Sequence, residues 1–254
     1  MSEIKFVGEG KVVLLAGGGK IFTDIAARFV GSERSLEDIA SSEYNRKIVE
    51  NIINSNHLAA TEFDYFIFGV EGYSRVTEVQ LVRKRLASYL IKSGRIDKGG
   101  KRNLVTVLPG NILNFTALVK IKGQTLHLSA DDLTFIIDQW YEAGIRAGLP
   151  EEDLRYMRPQ GTEFKAIIGM NAHALLDWFK IRTCLNAQSE IMDLALKMMA
   201  LCKSVAPDIF VNAGPSCKSL GYCPENERQN KSCVGKIYTQ NEALEILRNH
   251  RKDK

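Results

Sequence analysis

The run Tyr65-Phe66-Ile67-Phe68-Gly69-Val70-Glu71-Gly72-Tyr73 constrains this chain more than any other stretch. Aromatic and β-branched side chains suit a pleated, buried strand, and Gly72 supplies turn chemistry at its end. Ser74 follows in N-cap position. Val76, Val79, Val82 and Leu86 then repeat with helical spacing, leaving Gln80, Arg83 and Lys84 on another face. A buried strand running directly into an amphipathic helix demands a mixed architecture.

The remaining pattern agrees with that requirement. A strand is expected over 11–15, and helical periodicity from near Thr23 to about Ser55, carried by Leu36, Ala40, Tyr44, Ile48 and Ile52. Two strand-like runs, 104–108 and 115–121, follow the Lys98-Gly99-Gly100-Lys101 loop, the second bounded by Lys122-Gly123. Ser129 with Asp132 reads as the cap of a helix whose apolar positions are Leu133, Ile136, Ile137 and Trp140, and Gly148-Leu149-Pro150 stops it. A long helical tract is expected over 171–205, ended by Pro207, and Thr239 with Glu242 opens a short final helix. With no internal repeat and no low-complexity linker, the economical reading is an α+β fold with an antiparallel sheet flanked by helices. It forms a single domain over 1–235, followed by a C-terminal helix and charged tail over 236–254.

Composition removes several classes of function. A formal charge of +4 is too small for a nucleic-acid footprint but suits an anionic small ligand. The apolar stretches 12–16 and 194–201 fall far short of the ~20 residues of a bilayer span, and the first residues carry no export pattern, so a cytoplasmic protein away from membranes is expected. Gly17-Gly18-Gly19-Lys20 superficially suggests a phosphate loop, yet Ile21 follows the lysine where a hydroxyl residue is needed, and no glycine stands at position 14. A turn before a helix explains it better. Five cysteines at this length are not a disulfide framework. Cys202, Cys217, Cys223 and Cys233 are candidates either for free thiols or for a structural thiolate metal site, although their spacing is not that of paired zinc knuckles. Cys184 reads as a buried small hydrophobe and Met192, Met198 and Met199 as core filling.

The chemistry-bearing stretch is 83–95, Arg-Lys-Arg-Leu-Ala-Ser-Tyr-Leu-Ile-Lys-Ser-Gly-Arg, which starts on the predicted helix and runs into a glycine-containing loop. Five cations in thirteen residues suit a helix C-terminus. A hydroxyl, a glycine backbone and a guanidinium at Ser93-Gly94-Arg95 also make a compact anion cradle. Arg83-x-Arg85, seven residues and Ser93-x-Arg95 resembles the signature of flavin-dependent thymidylate synthases, which reads Arg-His-Arg, seven residues, Ser-x-Arg. His57-Leu58-Ala59-Ala60-Thr61-Glu62, Glu71-Gly72-Tyr73-Ser74-Arg75, Glu152-Asp153-Leu154-Arg155, Met170-Asn171-Ala172, Phe179-Lys180-Ile181-Arg182 and Ala187-Gln188-Ser189-Glu190-Ile191 follow in that family's order. The resemblance spans roughly 10–235.

The resemblance implies FAD as cofactor, NADPH and methylenetetrahydrofolate as co-substrates, conversion of dUMP to dTMP, and a homotetramer with active sites between subunits. Carried over by position, the dUMP-binding residues are Gln80, Ser93, Gly94, Arg95, Glu152, Arg155 and Arg182, with Ser93 and Arg182 as the catalytic pair and Arg182 polarising the uracil ring. The flavin-binding residues are His57, Arg83, Lys84, Arg85, Asn171, His173 and Asp177. This chain departs from the family pattern at Lys84, Leu90-Ile91, His173, Asp177, Phe63 and Ile96. Lys84 and Asp177 are expected to compensate for each other as a pair. Two further readings follow from these departures: a diverged relative that modifies another pyrimidine nucleotide, and a non-catalytic nucleotide-binding paralogue.

Overall fold

The computed structural model describes residues 3–18, 21–93, 105–224, 238–239 and 242. In chain order, β1 (Glu3–Phe6) and β2 (Lys11–Ala16) precede α1 (Phe22–Gly31), α2 (Leu36–Ser41) and α3 (Arg46–Asn54). A 3₁₀ turn, Leu58–Phe63, leads into β3 (Tyr65–Ser74), then α4 (Arg75–Leu81), β4 (Ser88–Ile91) and β5 (Val105–Leu108). Next come α5 (Gly110–Leu113), β6 (Thr116–Ile121), β7 (Gln124–Ser129), α6 (Ala130–Arg146) and α7 (Glu151–Leu154). After a second 3₁₀ turn, Arg155–Met157, the chain forms β8 (Glu163–Asn171), α8 (Ala172–Arg182), α9 (Ser189–Val205), α10 (Pro207–Phe210), α11 (Ser216–Leu220), β9 (Tyr222–Cys223) and β10 (Tyr238–Thr239). Helices and strands are mixed along the chain, the α+β architecture expected from the sequence.

Four strands form one sheet in the order β2-β3-β8-β4, β6 and β7 form an antiparallel hairpin, and β1 pairs with β5 in parallel. The Lys122-Gly123 signal is the hairpin turn, with φ of 49° and 83° at the two residues, as a right-twisted two-residue hairpin requires. Two compact units interleave along the sequence: residues 1–12, 69–83 and 89–168, and residues 13–68, 84–88 and 169–254.

In the first unit the core gathers Val70, Tyr73, Leu81, Val107, Leu154 and Phe164, all buried. Gly10 lies against the Tyr73 ring and Gly144 against Leu154, close enough that a Cβ at either place would collide with the side chain. Tyr89 donates its hydroxyl hydrogen to the Leu81 carbonyl at 2.8 Å, and burial pushes its pKa up to about 12. Ser129 and Asp132 form the expected reciprocal cap on α6.

In the second unit an aromatic cluster centres on Phe210, whose ring meets Phe66 edge-on at 5.3 Å and Phe179 at 6.1 Å. Val49, Ile53, Leu194, Met198 and Cys202 complete this core. The glycine-rich turn after β2 serves packing: a Cβ on Gly17 would stand 2.6 Å from the Phe66 ring, and one on Gly18 would strike Val205. Asp64 closes the unit. Its carboxylate accepts hydrogen bonds from the backbone N–H groups of Phe22 and Thr23 at 2.8 and 2.9 Å and from the Thr23 hydroxyl, which caps α1 from outside the helix. Its carbonyl accepts from Ala172 N–H at 2.7 Å, at the start of α8.

Several sequence expectations are corrected. The helical stretch before Ser55 is three helices, broken at Ser32 and again at Ser42, and its buried positions are Thr23, Asp24, Ile39, Val49 and Ile53. The tract 171–205 is two helices, interrupted between Arg182 and the Gln188 cap of α9. The helix after Ser74 ends at Leu81 and buries Thr77 and Leu81, while Val76, Val79 and Val82 are exposed. Residues 88–91, expected within a helix and loop, are strand β4. Thr239, expected to open a helix with Glu242, lies in β10, and Glu242 is helical.

Replacing Asp64 with alanine leaves three donors of α1 without their acceptor. With charge-assisted bonds worth ~1.5–3 kcal/mol each, an overall loss of about 3 kcal/mol is expected, seen as a fall in melting temperature of roughly 6–12 °C by circular dichroism. Asp64→Asn, which keeps an acceptor oxygen, is expected to fall by less.

Candidate functional site

In the first unit a cavity of about 580 Å³ is bounded by α4, the end of β4 and the segment after α7. Local hydrogen bonds hold these walls: Arg75 N–H donates to Thr162 O at 2.9 Å, Val76 N–H to Gln160 O at 3.3 Å and Lys92 N–H to Lys165 O at 2.8 Å. The Arg75 guanidinium pairs with Glu78, one turn along α4, so the carboxylate in this wall is already neutralised. Pro150 opens α7, and its first turn carries Glu151, Glu152 and Asp153, the charge sign a helix N-terminus favours. The chain then tightens into the 3₁₀ turn that presents Arg155, Tyr156 and Arg158 to the cavity. Lys92 and Ser93 face them from the end of β4. Three guanidiniums, an ammonium and a hydroxyl against one paired carboxylate suit a phosphate-like anion.

In the second unit a cavity of about 610 Å³ lies between the Asn56-His57-Leu58-Ala59 segment and α8, which contributes His173, Asp177 and Lys180. Asp177 is the electrostatic centre of this wall. Its carboxylate lies 3.8 Å from Lys84 Nζ, 3.2 Å from Lys180 Nζ and 3.9 Å from His173 Nε2. His173 Nδ1 is 3.1 Å from Glu62 Oε1, so the imidazole bridges two carboxylates. Asn171 caps α8, accepting from Ala174 N–H at 2.8 Å, and so fixes the helix that carries His173 and Asp177.

A third cavity of about 270 Å³ in this unit is lined by Lys180, Arg182 and three thiols, Cys184, Cys217 and Cys223. Burial and the neighbouring Cys223 and Cys184 sulfurs raise the Cys217 pKa above the ordinary thiol value. Cys202 is fully buried in α9 instead, and burial drives its pKa strongly upward.

Residues 20–208 match the family model described as thymidylate synthase complementing protein. The chain belongs to this family. Among its relatives, the flavin-dependent thymidylate synthase of Geobacter sulfurreducens is 35% identical over 196 residues, covering 77% of this chain and 80% of that protein. The flavin-dependent thymidylate synthase of Pyrococcus furiosus is 32% identical over 215 residues, covering 81% and 83%. A solved structure of a UMP/dUMP methylase from Streptomyces cacaoi, bound with 5-Br dUMP, covers 82% of this chain and 95% of its own at a TM-score of 0.65 and 19% identity, a likeness of fold.

Of the nucleotide positions expected from the sequence, Ser93 and Arg155 line the first cavity together. Glu152 is exposed on α7, Gln80 is half-buried on α4, and neither lines that cavity. Arg182 lines the thiol cavity. Gly94 and Arg95 lie outside the described residues. Of the flavin positions, His57, His173 and Asp177 line the second cavity, Lys84 reaches it through Asp177, and Asn171 acts as the α8 cap. Arg83 and Arg85 are exposed and do not line it. The expected Lys84 and Asp177 pairing is present. Cys202 is separate from the thiols that share a cavity, Cys184 takes its place there, and Cys233 lies outside the described residues. Among the described residues no three His, Cys, Asp or Glu side chains are arranged to hold a metal. Family motifs did not mark Lys92, Tyr156 or Arg158, although the three-residue interval from Arg155 to Arg158 was a usable signal, since positions i and i+3 eclipse on a 3₁₀ turn.

Thiol labelling tests this distribution. In the folded protein Cys202 is expected to stay unmodified by iodoacetamide until denaturant is added, whereas Cys184 and Cys217 react. Because the Cys217 pKa is raised, its labelling rate is expected to go on climbing with pH beyond the point where an ordinary thiol levels off, read by peptide mass spectrometry.

Proposed function

We propose that this protein is an FAD-dependent thymidylate synthase that converts dUMP to dTMP in the cytoplasm, with methylenetetrahydrofolate as carbon donor and NADPH as reductant. The observation that carries this reading is the cationic cavity with Ser93 and Arg155 on its wall, in a chain of this family. The names of the relatives, flavin-dependent thymidylate synthases at 32–35% identity, support the same reaction. In this reading Arg155 binds the nucleotide phosphate through its planar fork, and Ser93, Gly94 and Arg95 complete the anion cradle. Gln80 and Glu152 orient the sugar and base, and Arg182 stabilises negative charge developing on the uracil.

The second cavity fits a flavin by the chemistry of its donors. Lys84, Lys180, His57 and His173 supply cationic or hydrogen-bonding groups to a dinucleotide with an anionic pyrophosphate and an electron-accepting ring. A bound flavin supplies the hydride that leaves a methyl group on the pyrimidine. Lys84 and Asp177 keep a paired charge at the cavity wall where the family pattern has a histidine, Asn171 fixes the helix that carries that wall, and in this reading the exposed Arg83 and Arg85 contact the flavin across a subunit boundary of the tetramer.

We further propose the homotetramer that places active sites between subunits. The support within this chain is α6, where Leu133, Ile136 and Trp140 share one face and are 47, 50 and 48% exposed. Apolar side chains at i, i+3 and i+7 left in solvent are what a subunit contact would cover.

The deciding experiment is the visible spectrum of the purified protein with added FAD, followed by anaerobic NADPH and then dUMP with methylenetetrahydrofolate, assaying dTMP. Bleaching by NADPH and formation of dTMP are expected. UMP tested in place of dUMP separates the diverged-relative reading, and thermal protection by dUMP without any flavin binding separates the non-catalytic one. Arg155→Ala is expected to weaken dUMP binding ~10–100-fold, the loss of one charge-assisted contact. Lys84→Ala is expected to weaken flavin binding by a similar route while leaving dUMP affinity unchanged, and full flavin affinity in that variant would remove Lys84 from the cofactor site.

A further inference from the structure

We infer that Arg158 is a second phosphate-binding cation of the nucleotide cavity, held in position by stacking on Tyr141. This inference rests on the nucleotide reading of that cavity.

Four observations converge on it. Arg155 and Arg158 stand at the two ends of a single 3₁₀ turn, with Arg158 N–H donating to Arg155 O at 3.1 Å, so their side chains leave the backbone on the same side. Both line the same cavity. The Arg158 guanidinium carbon lies 4.6 Å from the centre of the Tyr141 ring, and Tyr141 is itself buried on α6. An aromatic face under a guanidinium is attractive and fixes its plane. Finally, Arg158 Nε is shielded from solvent without a hydrogen-bond partner, as is the Tyr141 hydroxyl. A buried donor left unsatisfied is unfavourable, and Arg158, which lines the cavity, is suited to a ligand that accepts from it.

Charge balance points the same way. Glu78 is the carboxylate that lines this cavity, and Arg75 already neutralises it. Among the described residues neither Arg155 nor Arg158 has a carboxylate partner, and two guanidiniums on the wall of one cavity favour an anion between them. A phosphate monoester at neutral pH carries nearly two negative charges and three acceptor oxygens, so it can satisfy both forks at once. A nucleoside without its phosphate cannot. Arg155 alone recognises an anion, whereas Arg155 with Arg158 selects a dianion. The stacked guanidinium therefore sets the preference of this chain for the nucleotide over the nucleoside.

The test uses the full-length protein and two ligands, dUMP by calorimetry and deoxyuridine by saturation-transfer NMR. Arg158→Ala is expected to weaken dUMP binding ~10–100-fold and to leave deoxyuridine binding within about twofold of the parent protein. Arg158→Lys restores the charge but not the fork or the stack, and is expected to recover only part of the dUMP affinity. Tyr141→Leu is expected to shift dUMP affinity toward that of Arg158→Ala, while Tyr141→Phe, which keeps the ring, retains it. Melting curves accompany each variant, and if Arg158→Ala does not fold, Arg158→Lys and Tyr141→Leu decide the matter by the same ratio of dUMP to deoxyuridine affinity. Parent-like dUMP binding in Arg158→Ala, or equal loss of both ligands in a folded variant, overturns the inference while leaving the nucleotide reading intact. Failure of the parent protein to bind dUMP overturns the nucleotide reading itself, and this inference with it.

Discussion

The carboxylate of Asp64 is the constraint on which the second unit depends. It stands between the 3₁₀ turn Leu58–Phe63 and β3, caps α1 through Phe22 and Thr23, and leaves its own carbonyl to take the first N–H of α8. One buried residue thus ties three segments that are distant in sequence. Helix N-termini need acceptors, and an external carboxylate satisfies the α1 donors while also favouring the positive end of the helix dipole. The consequence reaches the cavity. α8 starts where Asp64 fixes it, Asn171 caps it, and His173, Asp177 and Lys180 are then delivered at intervals of four and three residues along one face. Across the cavity, His57 directly precedes the same 3₁₀ turn. The spacing between the two walls is consequently set by hydrogen bonds to the backbone rather than by the ionisable side chains that line them.

The two cavities use charge in opposite ways. In the first, the carboxylate on the wall is consumed locally by Arg75, so the remaining cations form an excess directed at an anion. In the second, Asp177 is shared among Lys84, Lys180 and His173, and Glu62 holds the other imidazole nitrogen. Such a network limits net charge and instead fixes the orientation of each group. An excess of cations suits a phosphate that must be captured from water. A cross-linked wall suits a larger ligand whose ring must be held in one place, because partly exposed pairs contribute little energy singly but hold geometry when several share one centre.

How much of this was legible in the sequence depended on whether the signal was local. Caps and turns were readable: Ser129 with Asp132, Lys122-Gly123 and the Gly148 stop each act through bonds within a few residues. The choice of buried face was not. Helical periodicity says which residues share a face, and it does not say whether that face meets the core of its own chain. On α4 and α6 the residues packed inward are Thr77, Leu81, Thr134, Tyr141 and Gly144, several of them small or polar, because Gly144 must admit Leu154 closely and Tyr141 must carry a guanidinium. The apolar rows Val76 with Val79 and Leu133 with Ile136 face outward. The same limit applies to the helix breaks. Ser42 accepts from Arg28 within a network that includes Asp24 and Asn45, and those partners are distant in sequence.

Cavity-lining positions were legible where family motifs carried them and silent where this chain adds something of its own. Ser93, Arg155, His57 and Asp177 fall on motif positions, and the pairing of Lys84 with Asp177 followed from asking what would balance two unusual charges in one pocket. Arg158 escaped because its meaning depends on two facts absent from a motif: that α7 ends in a 3₁₀ turn rather than another α-helical one, and that an aromatic ring from α6 lies beneath it. On an α-helical turn, positions three apart diverge by about 60° around the axis, whereas on a 3₁₀ turn they eclipse. Pro159, directly after Arg158, discourages helical backbone there and so favours the tighter ending. The placement of Arg155 and Arg158 on the wall of one cavity is therefore a product of one proline and one tyrosine, neither of which touches the cavity through a charge of its own.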